Sequence, residues 1–592
     1  MLPATLGEWF SCGFAAKLLL SFLAGWWGWR FFMSLALKRS RRALAVQLRE
    51  KRLSQMKQLE ERLAKGDTTK WKRITELDFM ELREALQSGS YSATEATEAF
   101  VWRSIEVHKR FNCVVEWVAE CFEEAAALDA AYPPGGPAEK PPLFGMPFSV
   151  KDNNAMKGYA ITHGLIKMAA EGPRQETCTI IEHLRRLGAL PFCRTNVPQA
   201  LLSYSCSNVL YGTTENPHME DRTPGGSSGG EACLVASGGS PFGLVSDLAG
   251  SQRIPAHCSG VVTLKPCSGR LKAINALSAV PGQGRLGLGW GFFTRDVEAN
   301  RFLMELMFRE AYFRAVPHTA PVPFRAESEI VLSDRPLRIG FLVEDGFFDF
   351  HPACKRAVLE VVERLESDGY RMTPFVVPSA HKAASLVQQC LLPDNGAFLL
   401  DKLSAEDIDP SFKRTMAFLK LPLFLRRLLS LVVAPKWPVA ATMLSSYVRD
   451  LKHLRDVFAH VDCYRWEFTQ RWTEAGLDAL IVPGFALPAI PNRFTGQVPA
   501  AAFSTSLYNL LDYVAGSVPV TRVTSEDDQK SEKEYQAHSK NPLYRAAREG
   551  CKNSAGLPIA VQVVTLPYHE ELCLHLMKIV EKRASVNISV QM

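Results

Sequence analysis

Residues 223–253 read TPGGSSGGEACLVASGGSPFGLVSDLAGSQR, the densest run of unusual residues in the chain. Four glycines surround Ser227 and Ser228, which lets the backbone take angles closed to other residues and approach another group closely. The flanks argue against a merely flexible Ser/Gly linker: a proline precedes the glycines and a helix-forming stretch, Glu231–Ala236, follows them. The run closes on a second cluster, Ser246-Asp-Leu-Ala-Gly-Ser-Gln-Arg253, which carries Ser251. Ser227 and Ser228 both satisfy G-x-S-x-G, but no apolar strand leads into the turn, so a nucleophile elbow is not expected.

Outward from this run, short apolar segments alternate with helices and Gly-rich turns from Phe144 to Pro266. Phe148–Lys151 and Pro191–Arg194 read as strands, and Thr179–Leu187 as a helix capped by Gly188. That alternation predicts an α/β fold, a central sheet with helices on both faces. Ser92-Ala-Thr-Glu95 is a capping box opening a helix to about His108. A second helix is expected from Val114 to Leu128, then an irregular linker from Pro133 to Pro142. Residues 336–343 read as a strand, 352–369 as a helix, and 410–460 as helical and apolar. The acidic groups Glu526-Asp-Asp and Glu532-Lys-Glu534 suggest a solvated loop.

Composition sets limits. The chain has 592 residues and is 47% hydrophobic, and its 39 Gly and 36 Pro are ordinary, which excludes collagen, a disordered chain and a polytopic membrane protein. Fourteen scattered cysteines with no C-x-x-C pair argue against a disulfide scaffold or structural zinc and favour a reducing compartment. Gly282-Gln-Gly284-Arg-Leu-Gly287 follows a proline rather than a strand, so no dinucleotide site is expected. His569-Glu570-Glu571-Leu572-Cys573 lacks the second histidine of a zinc helix, so no metal is expected.

The net charge of +6 is uneven. Residues 1–73 hold fifteen Lys/Arg against five Asp/Glu, so the basic excess is local and a surface for nucleic acid is not expected. Within that segment Phe10 to Leu37 is apolar but for Lys17 and Arg30. As a helix it would be about 42 Å long, enough for the ~30 Å hydrocarbon core of a bilayer. Trp26, Trp27 and Trp29 suit an interface, and Lys38, Arg39, Arg41 and Arg42 would hold the rest of the chain on the cytosolic side. The expected organisation is a tail (1–9), a transmembrane anchor (10–37), a basic solvated stalk helix (38–73) and a catalytic domain (74–592). The single Asn-Ile-Ser sequon at Asn587 is then unused.

Three segments together resemble the amidase signature family: Gly145-Met-Pro-Phe-Ser-Val-Lys151-Asp, Pro224-Gly-Gly-Ser-Ser-Gly-Gly230 and Asp247-Leu-Ala-Gly-Ser251-Gln-Arg253. The resemblance runs from about residue 90 to 580 and closes with Asp478–Pro483 and Gly556-Leu-Pro558…Gln562. Within the family the chain is similar to the fatty acid amide hydrolase branch, on Thr195–Gln199, Ser207-Asn208, Ser237–Pro241, Asn553–Pro558 and Leu566–Cys573.

The resemblance implies a mixed central sheet with helices on both faces and a Ser–Ser–Lys triad. By that resemblance Ser251 would be the nucleophile, Ser227 the bridging serine on a cis peptide, and Lys151 the base. The backbone N–H groups of Leu248, Ala249, Gly250 and Ser251 would hold the oxyanion. It also implies an acyl channel lined by Leu201, Leu202 and Tyr204, a homodimer, no cofactor, and long-chain fatty acid amides as substrates. Residues 410–435 match a membrane-binding cap. Pro422 splits them into two short helices, and Lys413, Arg414, Lys420, Arg426 and Arg427 interleave with large apolar residues, as a lipid surface requires. The protein would sit on the endoplasmic reticulum or another endomembrane.

Three positions depart from the family pattern: Ala249 replaces a glycine, Gln252 an apolar residue and Phe292 a proline. If position 249 needs a positive φ, the alanine costs on the order of 1 kcal/mol and tilts a donor; otherwise it costs little. Two other functions therefore stay open, an amidase for shorter amides and a lapsed member that binds at a membrane.

Overall fold

The computed structural model describes residues 6–133, 135–136, 138–282, 284–325, 337–538, 540–584 and 590; in the first helix, side chains are described for 17, 19–29, 32–33 and from 35 onward. The strands in chain order are β1 (Val114–Trp117), β2 (Pro147–Lys151), β3 (Leu190–Thr195), β4 (Ser207–Asn208), β5 (Gly212–Thr213), β6 (Gly243–Asp247), β7 (Val262–Lys265), β8 (Gly289–Thr294), β9 (Arg338–Phe341), β10 (Arg371–Pro374), β11 (Ala479–Pro483), β12 (Val514–Arg522) and β13 (Pro558–Thr565). Eleven of them form one mixed sheet in the order β1-β3-β2-β6-β8-β7-β12-β13-β11-β9-β10.

Every residue of β2, β3, β6, β8, β11 and β13 is buried. Alternate residues of a strand point to opposite faces, so the sheet must be covered on both. The expected α/β architecture is the observed one.

The sheet also places the functional groups. β2 and β6 run parallel side by side, and both end on a charged residue, Lys151 and Asp247. Beyond the carboxyl ends of parallel strands the chain opens into loops, where α/β folds carry their sites. The Gly-rich run leads into the helix Gly229–Ala236, which lies between these strands in sequence.

Several local expectations are met. Ser92 and Glu95 exchange both capping hydrogen bonds at the start of Ala93–Phe111, and Pro422 separates helices Lys413–Lys420 and Leu423–Val433. Two are corrected. The segment from Val114 is not helix but edge strand β1, because Val114, Glu116 and Trp117 pair with β3; the helix begins only at Cys121. The acidic loop is the helix Ser525–Ala537, capped by Thr524, whose Asp527 is buried against Arg356. Acidic residues in a first helical turn face the positive end of the helix dipole, and that pattern resembles solvated charge in sequence.

The N-terminal region is one α-helix, Leu6–Leu63. The anchor expected at 10–37 lies in it, its first part outside the described side chains. Among the described residues no helix is long and apolar enough to cross a membrane, so the spanning segment is not supported. What the helix does show is apolar side chains exposed all around it, including Leu19, Phe22, Trp27 and Phe32. The expected solvated stalk is also corrected. From Arg41 onward the helix lies against the rest of the fold: Ala45 and Leu63 are buried, Arg42 grips Asp407 with two hydrogen bonds, and Gln55 bonds Trp117 in both directions. The sequon at Asn587 lies outside the described residues.

Candidate active site

Lys151 ends β2 with its side chain fully inside the protein. Its Nζ donates to Ser227 Oγ at 2.9 Å and lies 3.3 Å from Ser246 O and 3.4 Å from Ser246 Oγ. Burial lowers its pKa to about 7, with the charged Asp247 nearby pulling the other way. A buried ammonium loses its hydration, and the neutral amine is favoured. Glu231, behind it, is held by the Ser149 and Thr195 hydroxyls and is pushed up to about 8 by burial. At neutral pH Glu231 therefore adds little negative charge beside the lysine.

Ser227 follows a cis peptide from Gly226. Glycine is obligatory at 226: a Cβ there would lie 2.5 Å from Ser203 O and 2.6 Å from Ser205 O. Ser228, the other G-x-S-x-G serine, is turned away and donates to Ser251 O at 2.5 Å.

Ser251 sits in a loop built around Asp247. The carboxylate accepts from Gly250 N at 2.7 Å and Gln252 N at 3.1 Å, and pairs with Arg253 at 3.0 Å. Arg253 in turn donates to Thr505 O, Asn509 Oδ1 and Gln562 Oε1, so the whole buried network is satisfied. Burial opposes the charge on Asp247, but the Arg253 guanidinium outweighs it and holds the carboxyl well below its usual range.

Lys151, Ser227, Ser251, Leu248 and Ala249 line one cavity of about 200 Å³, with Leu201, Leu202 and Tyr204 on its wall. The structure thus brings together every site residue expected from the sequence except the amide of Gly250. That N–H is taken by Asp247, so the expected four-donor oxyanion set is corrected at this position. The amides of Leu248, Ala249 and Ser251 have no hydrogen-bond partner among the described residues. The hydroxyls of Ser227 and Ser251 share the cavity, and no hydrogen bond joins them among the described residues.

The departures are benign. Ala249 is not among the residues with positive φ, whereas Gly250 has φ +118°. Gln252 is buried but satisfied, donating to Gly289 O at 3.1 Å and accepting from Thr263 Oγ1 at 2.9 Å. Phe292 packs edge-on against Phe242 within β8 and does not reach the cavity. Residues the sequence reading missed are Asn153 and Ser246, which bond each other at 3.1 Å and hold Lys151, and Thr505, which fixes Ala249 O at 2.9 Å. The signal for the first two was adjacency, since each lies within two residues of a motif residue. Thr505 gave none.

A second, apolar cavity of about 480 Å³ adjoins the first and shares Leu202, Ala249, Leu391 and Thr415 with it. Helix Lys413–Lys420 contributes Phe418 and Leu419 to its wall. The helix after it exposes Phe424, Leu428, Leu431 and Val432. Arg426 is not one of the surface cations expected here. It is buried, donates to Leu419 O and Leu421 O, and covers the Phe418 ring at 4.4 Å.

The sequence motifs that gave no site have structural explanations. Glu570 and Glu571 are fully buried partners of Arg270. Gly287 is required where a side chain would strike Asp512, and Gln283 of the same motif lies outside the described residues.

The family model described as Amidase matches residues 95–574. "Fatty acid amide hydrolase 1" of Caenorhabditis elegans is 35% identical over 519 residues, which is 87% of this chain and 90% of that one. "Fatty-acid amide hydrolase 1" of Sus scrofa is also 35% identical, over 86% of this chain and 85% of its own. Among solved structures, one titled "Fatty acid amide hydrolase" superposes with a TM-score of 0.73 at 23% identity, covering 92% of this chain and 91% of that one.

Proposed function

The chain belongs to the amidase signature family and is an amide-hydrolysing enzyme, and from that premise we propose that it cleaves long-chain fatty acid amides by a Ser–Ser–Lys relay. The observation that carries the reading is the 2.9 Å hydrogen bond from Lys151 to Ser227 inside a cavity that contains Ser251 and continues into an apolar one.

Neutral Lys151 takes the proton of Ser227 as Ser227 takes that of Ser251, and Ser251 Oγ attacks the amide carbonyl. The amides of Ala249 and Ser251 receive the oxyanion. The proton then returns from Lys151 through Ser227 to the leaving nitrogen. The amine departs, and a water molecule hydrolyses the acyl-enzyme by the same path. The buried amine with its pKa near 7 supports the assignment of Lys151, because the same group must accept and return a proton near neutrality.

Substrate class follows from the walls. The apolar cavity supports an alkyl chain, and oleamide and N-acylethanolamines fit that chemistry. We place the enzyme at a membrane surface, attached by the exposed apolar N-terminal helix and by the Phe424–Val432 face beside the cavity. Such substrates partition into lipid, and a surface-bound enzyme meets them there. The unstrained backbone at Ala249 removes the reason for reading the chain as a lapsed, non-catalytic relative.

The test is release of fatty acid from oleamide and an N-acylethanolamine by detergent-solubilised protein beside Ser251→Ala. Turnover by the wild type alone supports the reading. A folded wild type as silent as the variant overturns it.

A further inference from the structure

The two residues before Ser251 have opposite constraints. Gly250 needs glycine twice over: its φ is +118°, and a Cβ would lie 2.1 Å from Thr505 Oγ1. Ala249 is not bound by a positive φ. It lines both the catalytic cavity and the apolar one. Its position is fixed from both sides, by Thr505 Oγ1 on its carbonyl at 2.9 Å and by Asp247 on the Gly250 amide at 2.7 Å. The methyl is therefore a rigid feature of the passage between the cavities, two residues from the reacting hydroxyl.

Resting on the proposed acyl-amide activity, we infer that the Ala249 methyl is a specificity determinant that excludes acyl groups branched next to the carbonyl. An acyl group on Ser251 has its carbonyl at the Ala249 and Ser251 amides and its chain in the apolar cavity. Ala249 is common to both walls and lies two residues before Ser251, so on this reading the carbons that join the two run past its methyl. A linear chain passes it with two hydrogens on each carbon. A 2-methyl branch adds a carbon at the same place, against a residue whose carbonyl is held by the Thr505 hydroxyl at 2.9 Å. One methyl group against a fixed wall is worth about 10-fold or more in kcat/KM.

The experiment measures kcat/KM for dodecanamide and 2-methyldodecanamide with the wild type, Ala249→Gly and Ala249→Val. The readout is the ratio of branched to linear, which does not depend on the fraction of folded enzyme. The expected result is a ratio about tenfold or more higher in Ala249→Gly than in the wild type, and lower still in Ala249→Val. Equal ratios in all three, with dodecanamide hydrolysed, overturn the role of the methyl alone. A wild type inert on dodecanamide and on the other linear amides overturns the acyl-amide reading, and this inference with it.

Discussion

Lys151 Nζ and Ser227 Oγ stand 2.9 Å apart, both residues buried, with burial carrying the lysine down to about 7. The proposed relay works only from the neutral amine. kcat/KM is therefore expected to fall about tenfold per pH unit below about 7 and to level off above it. Lys151→Ala should remove that limb together with most of the turnover, about a thousandfold or more. A wild-type profile flat from pH 5.5 to 8 would sink the assignment of the base.

The same burial has a stability consequence. In the unfolded chain the lysine returns to its ordinary value of 10.5, so between about 7 and 10.5 the unfolded state binds a proton that the folded state does not. Stability from this group therefore rises with pH across that window, and below about 7 the cost of burying the charge is fully present. Lys151→Met keeps the volume and removes the charge. It should unfold at a higher temperature than the wild type at pH 6 while being inactive, with the gap narrowing towards pH 10. A less stable Lys151→Met at pH 6 would contradict the burial argument.

How far the sequence reaches is visible in single residues. Lys151, Ser227 and Ser251 lie in three short motifs, and because β2 and β6 are neighbours the fold gathers them as expected. Hydrogen-bond allocation is not legible in the same way. Nothing in Asp247-Leu-Ala-Gly says that the Gly250 amide turns back to the carboxylate, since that goes with a φ of +118° in a loop packed against Thr505 of a distant helix. Charge is equally ambiguous: Arg426 and Asp527 look like surface residues until their partners from other elements are seen. The same holds for the region after Arg41, where polar side chains that suggest a free stalk are the ones that grip the body.

Asp247 and Arg253 are fully buried and bound to each other, and a buried pair is far more costly to break than to omit. Asp247→Asn leaves the guanidinium charged and uncompensated, removes one of the two acceptor oxygens that hold the 250–253 backbone and loosens the loop that presents Ser251. The expected cost is about 3–5 kcal/mol of folding stability, read by chemical denaturation, together with a loss of kcat. A variant with wild-type stability would show that the network does not hold this loop.

The exposed face of Phe424, Leu428, Leu431 and Val432 predicts how the enzyme meets lipid. Lys413, Arg414, Lys420 and Arg427 are exposed near it and, in the proposed attachment, would attract anionic headgroups while the apolar side chains enter the interface. Phe424→Ser with Leu431→Ser should weaken sedimentation with phosphatidylserine-containing vesicles, and deletion of residues 1–37 should weaken it independently, the two together abolishing it. Binding should also drop as salt is raised, since the cationic contribution is screened over about 10 Å at 0.1 M. Hydrolysis of a short, water-soluble amide should change less than about twofold in the double variant, because these side chains do not line the catalytic cavity. If the vesicles hold the doubly altered, truncated chain as firmly as the wild type, membrane attachment lies elsewhere on the surface.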